Sequence, residues 1–274
     1  MSLALLEYDF MQNALAAGVL AGIACGVVGT YVVVRRMVFI SGGLSHATFG
    51  GIGLAYYLGV DPLLGALLFA VGGAIGIGTA TQRTRLSEDT AIGVLWASGM
   101  ALGVVFVGLA SGYAPDLFSY LFGNILTVQT SELLTMLALD TVIVVIVLAF
   151  YKEFLAISFD EEFARVEGMP SRALDLLLLG LVALTIVTVI RVVGIVLVIA
   201  LLTIPPAIAR NYTTSLSRMM LLSVAIGIGL SVAGLLLSYA LDIASGATII
   251  LLGSAVLLGA LAVRKMKEVA NART

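Results

Sequence analysis

The chain is expected to fold as an all-α integral membrane protein, a polytopic helical bundle. Three observations lead there. Of 274 residues, 61% are hydrophobic and 11% are charged, whereas soluble domains carry roughly 25% charged residues. The apolar residues gather into runs near the length of about 20 residues that crosses a bilayer's hydrocarbon core. Those runs are continuously apolar rather than alternating, which argues against a β-barrel. No room is left for a sizeable soluble domain, so residues 1–274 read as a single transmembrane domain. Membrane lipid is the expected surroundings, and nothing in the chain forms a basic nucleic-acid patch.

Nine apolar segments are expected, at 12–34, 43–59, 63–81, 91–111, 131–151, 173–190, 192–209, 219–240 and 246–263. The second is short and glycine-rich. The sixth and seventh are separated only by Arg191, Val192 and Val193, so a count of eight stays open. Residues 113–130 are apolar but broken, the pattern of a short external or re-entrant helix. Near the end of the seventh segment, Pro205 and Pro206 are expected to kink or stop it. Glu7 and Asp9 stand where a basic signal region would lie, so no cleavable leader is expected. The 30 glycines often recur at helical spacing, which lets membrane helices approach closely.

Basic residues orient the bundle, because they concentrate on the cytoplasmic side. With the N-terminus outside and alternating crossings, 13 of the 14 Lys and Arg residues fall inside, and only Arg191 falls outside. The C-terminus is then cytoplasmic.

Four features could carry function. The first is S-F-D-E-E-F-A-R-V-E-G-M-P-S-R, residues 158–172, with five charges between Asp160 and Glu167. Carboxylates near a helix N-terminus are favoured by the macrodipole. A short helix is therefore expected there, with Phe163 and Val166 on one side and charges on the other. It suits a soluble partner's groove, although a solvated loop helix has the same composition. The second is His46, the only histidine, preceded by Ser45 and set just inside a span. An ionisable residue in the membrane is a functional hypothesis by default, and imidazole suits transition metals. One histidine cannot build a tetrahedral site, but a translocation path needs only loose coordination. A hydrogen bond to a neighbouring helix is the plainer alternative. Third, Asp116 and Asn124 lie on the outer side and could gate an entrance or contact an external partner. Arg191, the one outer cation, either snorkels to headgroups or steers ions. Fourth, Asp140 is the one acid that falls near mid-span.

Catalytic patterns are missing. There is no phosphate-binding G-x-x-x-x-G-K-[ST] loop and no H-E-x-x-H pair. Ser45 and His46 are adjacent, which splays them about 100° apart on a helix and is wrong for a nucleophile–base dyad. The chain is expected not to be an enzyme.

Four segments together resemble the permease family of metal-ion ABC importers: R-R-M-V-F-I-S-G-G-L-S-H-A-T-F-G-G, L-S-E-D-T-A-I-G-V-L, D-L-F-S-Y-L-F-G-N-I-L and V-V-G-I-V-L-V-I-A-L-L-T-I-P-P-A-I-A-R. The resemblance implies a homodimeric permease in a prokaryotic cell membrane. It implies two copies of a cytoplasmic ABC ATPase, where ATP is hydrolysed, and an extracellular or periplasmic metal-binding protein. The transported ion would be zinc, manganese or iron(II), with no permanently bound cofactor. Residues 158–172 would be the coupling segment, with Asp160, Glu161, Phe163, Ala164, Arg165 and Gly168 at the ATPase and His46 in the path. Many relatives carry aspartate four residues before this histidine, where this chain has Gly42. Two other readings stay open. One is an ABC permease for iron chelates or cobalamin-like cargo. The other is a gradient-driven secondary transporter, for which Asp140 is the hook.

Overall fold

The computed structural model describes residues 8–83, 86–110 and 123–271. The helices follow the chain as α1 (Asp9–Val34), α2 (Val38–Leu58), α3 (Pro62–Arg83), α4 (Glu88–Leu109), α5 (Thr130–Ala149), α6 (Tyr151–Phe159), α7 (Glu161–Val166), α8 (Ser171–Val193), α9 (Ile195–Ala209), α10 (Leu216–Leu241) and α11 (Ser245–Asn271). A 3-10 turn, Ile125–Thr127, precedes α5. Among the described residues, eight helices are long and apolar enough to cross a membrane. The expected seventh span, α9, has 15 residues and at 1.5 Å per residue reaches only about 22 Å, short of a hydrocarbon core of about 30 Å.

The break between α8 and α9 falls at Gly194 (φ 80°), not at Arg191, which belongs to the last turn of α8. Positive φ is open to glycine without a Cβ clash, so the chain turns there within one residue. Pro205 and Pro206 lie inside α9, and the helix continues to Ala209.

Burial divides the helices into two sets. Buried residues make up 72%, 78% and 72% of the apolar windows of α1, α2 and α8, against 28%, 22%, 22% and 22% for α3, α4, α5 and α11. The first set is the centre of the bundle and the second its outer wall. Lipid tails are as apolar as the helices, so close contact rather than water exclusion must hold the centre together. At Gly53 of α2 an added Cβ would lie 2.5 Å from the Gly103 carbonyl oxygen of α4. On another face of α2, a Cβ at Gly51 would lie 2.0 Å from the Gly65 oxygen of α3. The helix therefore runs on through its glycines and begins at Val38, five residues before the expected start.

Several buried hydroxyls bond within their own helix, as hydrocarbon favours, while those of Tyr31 and Ser231 have no hydrogen-bond partner. Ser45 donates to the Ser41 carbonyl at 2.8 Å, Thr48 to Leu44 at 2.7 Å and Thr185 to Leu181 at 2.8 Å. Thr30 donates to Gly26 and also reaches Ser223 of α10 at 3.3 Å. Charged links cluster at the two ends. One end carries Arg35, Asp175, Glu161 and the Arg264–Asn211 hydrogen bond. The other carries Arg191, Glu132 and Asp61.

Replacing Gly53 with Val is expected to destabilise the bundle by about 1–3 kcal/mol through overpacking. Gly76→Ala, where an added Cβ meets nothing within 4 Å, is expected to be neutral. Thermal unfolding in detergent checks both: equal melting temperatures for the two variants would contradict the close-contact account.

Candidate functional sites

His46 sits eight residues into α2, about 12 Å along its axis, deeper than the sequence suggested. Its ring stacks on Trp96 of α4, with centroids 4.3 Å apart and planes 11° apart. The Nδ1 atom is buried and has no hydrogen-bond partner. Trp96, the only tryptophan in the chain, also lies 3.6 Å from where a Cβ on Gly42 would stand. One turn apart on α2, Gly42 and His46 thus share one indole as their neighbour. Ser45 is fully buried with its hydroxyl committed to Ser41. Among the described residues no three His, Cys, Asp or Glu side chains form a metal-holding group.

At the basic end, the charged segment builds the expected short helix, α7. Asp160 caps it by accepting from the Phe163 amide at 2.8 Å, satisfying one of the free donors at a helix start. Ala164 is fully buried, while Phe163 and Val166 are 57% and 85% exposed. Arg165 donates to Glu161 one turn back at 2.8 Å. Gly168 takes φ 81° just beyond the helix, and its amide bonds the Arg165 carbonyl while that of Met169 bonds Ala164. With α6 on one side and α8 on the other, α7 forms a compact projection that shows two large apolar side chains outward. A groove beside it is lined by Glu161, Arg165, Arg172 and Asp175.

At the opposite end a cavity of about 450 Å³ is lined by Asn124, Gln129, Glu132 and Arg191, with Pro62 and Leu63 behind them. Arg191 is not a free cation: it pairs with Glu132 at 2.9 Å and approaches Asp61 at 3.9 Å. These three charges sum to −1, so Arg191 leaves no net positive charge in this cluster. The Asn124 side chain accepts from the Leu126 amide at 3.2 Å, shaping the 3-10 turn. Asp116 lies outside the described residues. Asp140 is the midpoint of α5, 4% exposed, and neither of its oxygens has a hydrogen-bond partner.

Sequence reading missed Trp96, Arg35, Asp175 and Glu132. No local signal marks Trp96, since its role depends on α4 crossing α2. A search for opposite charges at matched helix ends would have raised Arg35 with Asp175 and Arg191 with Glu132.

These features define a polytopic membrane protein with a polar group deep in the bundle, a cavity at one end and an exposed apolar projection at the other. A family model described as the ABC 3 transport family matches residues 7–264. The membrane protein slr2045 of Synechocystis sp. is 46% identical over 95% of this chain and 92% of its own length. The manganese transport system membrane protein MntC of Listeria innocua is 36% identical over 91% of this chain and 89% of its own. The solved structure of PsaBC from Streptococcus pneumoniae in complex with Fab superposes with a TM-score of 0.86 at 36% identity, covering 94% of this chain and 92% of that one. An inward-facing metal-chelate type ABC transporter gives a TM-score of 0.71 at 19% identity, covering 92% and 85%, and shares the fold. The chain belongs to the ABC 3 transport family.

The stacked pair provides its own reporter. Copper(II), which imidazole binds well, is expected to quench Trp96 emission in the detergent-purified chain, and His46→Ala is expected to remove that quenching. Equal quenching in both proteins would show that His46 does not take a metal ion.

Proposed function

We propose that this chain is the permease of an ABC importer for divalent first-row metal ions. The basic end faces the cytoplasm, and the N-terminus and the Arg191 cavity face outward. The observation that carries the reading is α7, a capped helix that presents Phe163 and Val166 to solvent while its other face is pinned to the bundle. An exposed apolar pair on a rigid projection, ringed by Glu162, Arg165 and Glu167, suits a groove on a soluble protein. The ABC family makes that protein an ATPase, in two copies for a permease dimer. Metal as cargo is favoured by the manganese systems among the relatives.

In this mechanism a binding protein delivers the ion at the outer end, above the cavity that holds Asn124, Glu132 and Arg191. Closure of the ATPase dimer moves α7 and switches which end of the bundle is open. The ion passes His46, which offers one imidazole donor per chain and so holds it weakly. Weak, exchangeable coordination suits passage, whereas a closed four-ligand site suits retention. Gly42 adds no donor beside it, and the indole of Trp96 covers one face of the ring, so selection does not rest on a multidentate cage within one chain.

Cross-linking tests the docking. Cys25 is the only cysteine and is buried, so a Val166→Cys variant carries one accessible thiol. With a thiol–amine cross-linker in native membranes it is expected to capture an ABC ATPase. A second thiol variant at the other end, Asn124→Cys, is expected not to. Capture of no ATPase from membranes in which other ABC complexes remain intact would overturn the proposal.

A further inference from the structure

We propose that Arg35 is the positioning residue that transmits movement of α7 to the transmembrane helices. This rests on the reading of residues 158–172 as the ATPase-docking segment. Arg35 stands at the C-terminus of α1, with its amide bonded to the Tyr31 carbonyl at 2.9 Å. The chain then reverses within two residues. Arg36 takes φ 60°, the Met37 amide returns to the Val32 carbonyl at 2.8 Å, and α2 starts at Val38. A displacement of Arg35 is therefore passed directly to the base of the helix that carries His46.

The guanidinium joins α1 to two consecutive helices far along the chain. It pairs with Asp175 in the first turns of α8, and Glu161, the first residue of α7, lies 3.9 Å away. Glu161 is shared, because Arg165 bonds its other oxygen at 2.8 Å. The Arg35 side chain is only 15% exposed, against 69% for Arg165. An exposed pair contributes little, whereas removing one partner of a buried pair leaves an uncompensated charge. Arg35 is thus the more shielded of the two cations at Glu161, and the one that leads to the transmembrane helices.

Among the described residues the Arg35–Glu161 contact is the one ion pair that joins α7 to a transmembrane helix. Within α7 only Ala164 is buried, and the large apolar side chains point away from the bundle. One turn before Arg35, Tyr31 packs edge-on against the buried Phe154 of α6 at 5.6 Å, so the inner end of α1 is gripped from both helices of the projection. A cavity of about 240 Å³ beside the ion cluster is lined by Arg35, Ile77, Glu88 and Asp175. It gives the guanidinium room to shift toward α4 without leaving a carboxylate neighbourhood.

The test measures ATP hydrolysed per ion imported, in proteoliposomes holding the permease with its co-expressed ATPase and binding protein, using manganese(II) and zinc(II) as tracers. Arg35→Gln is expected to retain the ATPase in wild-type ratio and to keep hydrolysing ATP. Ions imported per ATP should fall about tenfold, the scale on which single residues alter coupling. Arg35→Lys should be intermediate, and Glu161→Gln, which removes the α7 side of the contact, should lower the ratio in the same direction. A wild-type ratio in Arg35→Gln, or in Glu161→Gln with the ATPase retained, would overturn the proposal. Wild-type permease that retains no ATPase would instead overturn the docking reading, and this proposal with it.

Discussion

Lipid gives helices no hydrophobic reason to associate, and the structure depends on how the chain meets that constraint. Its answer is backbone proximity. Glycine on α2 meets glycine on α3 and α4 at distances that no side chain would permit, so the most buried helix of the bundle is also one of the most closely gripped. His46 rides on that helix. Its depth and its stacking on Trp96 are consequences of the α2–α4 crossing rather than of any motif around the histidine. On α2 the hydroxyls of Ser45 and Thr48 turn back onto their own helix, so they build no polar bridge to α4.

Charge is handled by the opposite strategy and kept to the ends. At the basic end Arg35 ties α1 to α7 and α8. At the other end Arg191 ties α8 to α5 and lies beside the start of α3. The helix α8 thus has an ion cluster at each terminus and is buried between them. In the proposed mechanism such links carry movement of the projection formed by α6 and α7 to the centre of the bundle. Asp140 is the exception, a carboxyl at mid-span with no hydrogen-bond partner, where hydrocarbon makes an uncompensated charge costly.

Much of this was legible in the sequence, because hydrophobic run length and helix caps are local properties. The long spans, the short helix after Asp160 and the glycine at 168 all follow from residues within a few positions. The boundaries that shifted did so for tertiary reasons. The second span starts at Val38 because packing on α3 and α4 supports a glycine-rich stretch whose intrinsic helix propensity is low. The break after the sixth span moved from Arg191 to Gly194, since a charged residue ends an apolar run without ending a helix. Arg191 read as a lone outer cation because Glu132 and Asp61 are far from it in sequence. Trp96 carried no signal, as an aromatic residue in an apolar helix is ordinary until its neighbour is known.

The measurement that tests the central claim most directly is tracer uptake of manganese(II) and zinc(II) into proteoliposomes, with ATP supplied only on the ATPase side. The account predicts accumulation of at least one ion against its gradient, lost when the ATPase is hydrolysis-deficient and unaffected by collapsing the proton and sodium gradients. Uptake that persists without hydrolysis, stops when those gradients collapse and is abolished by Asp140→Asn would contradict it.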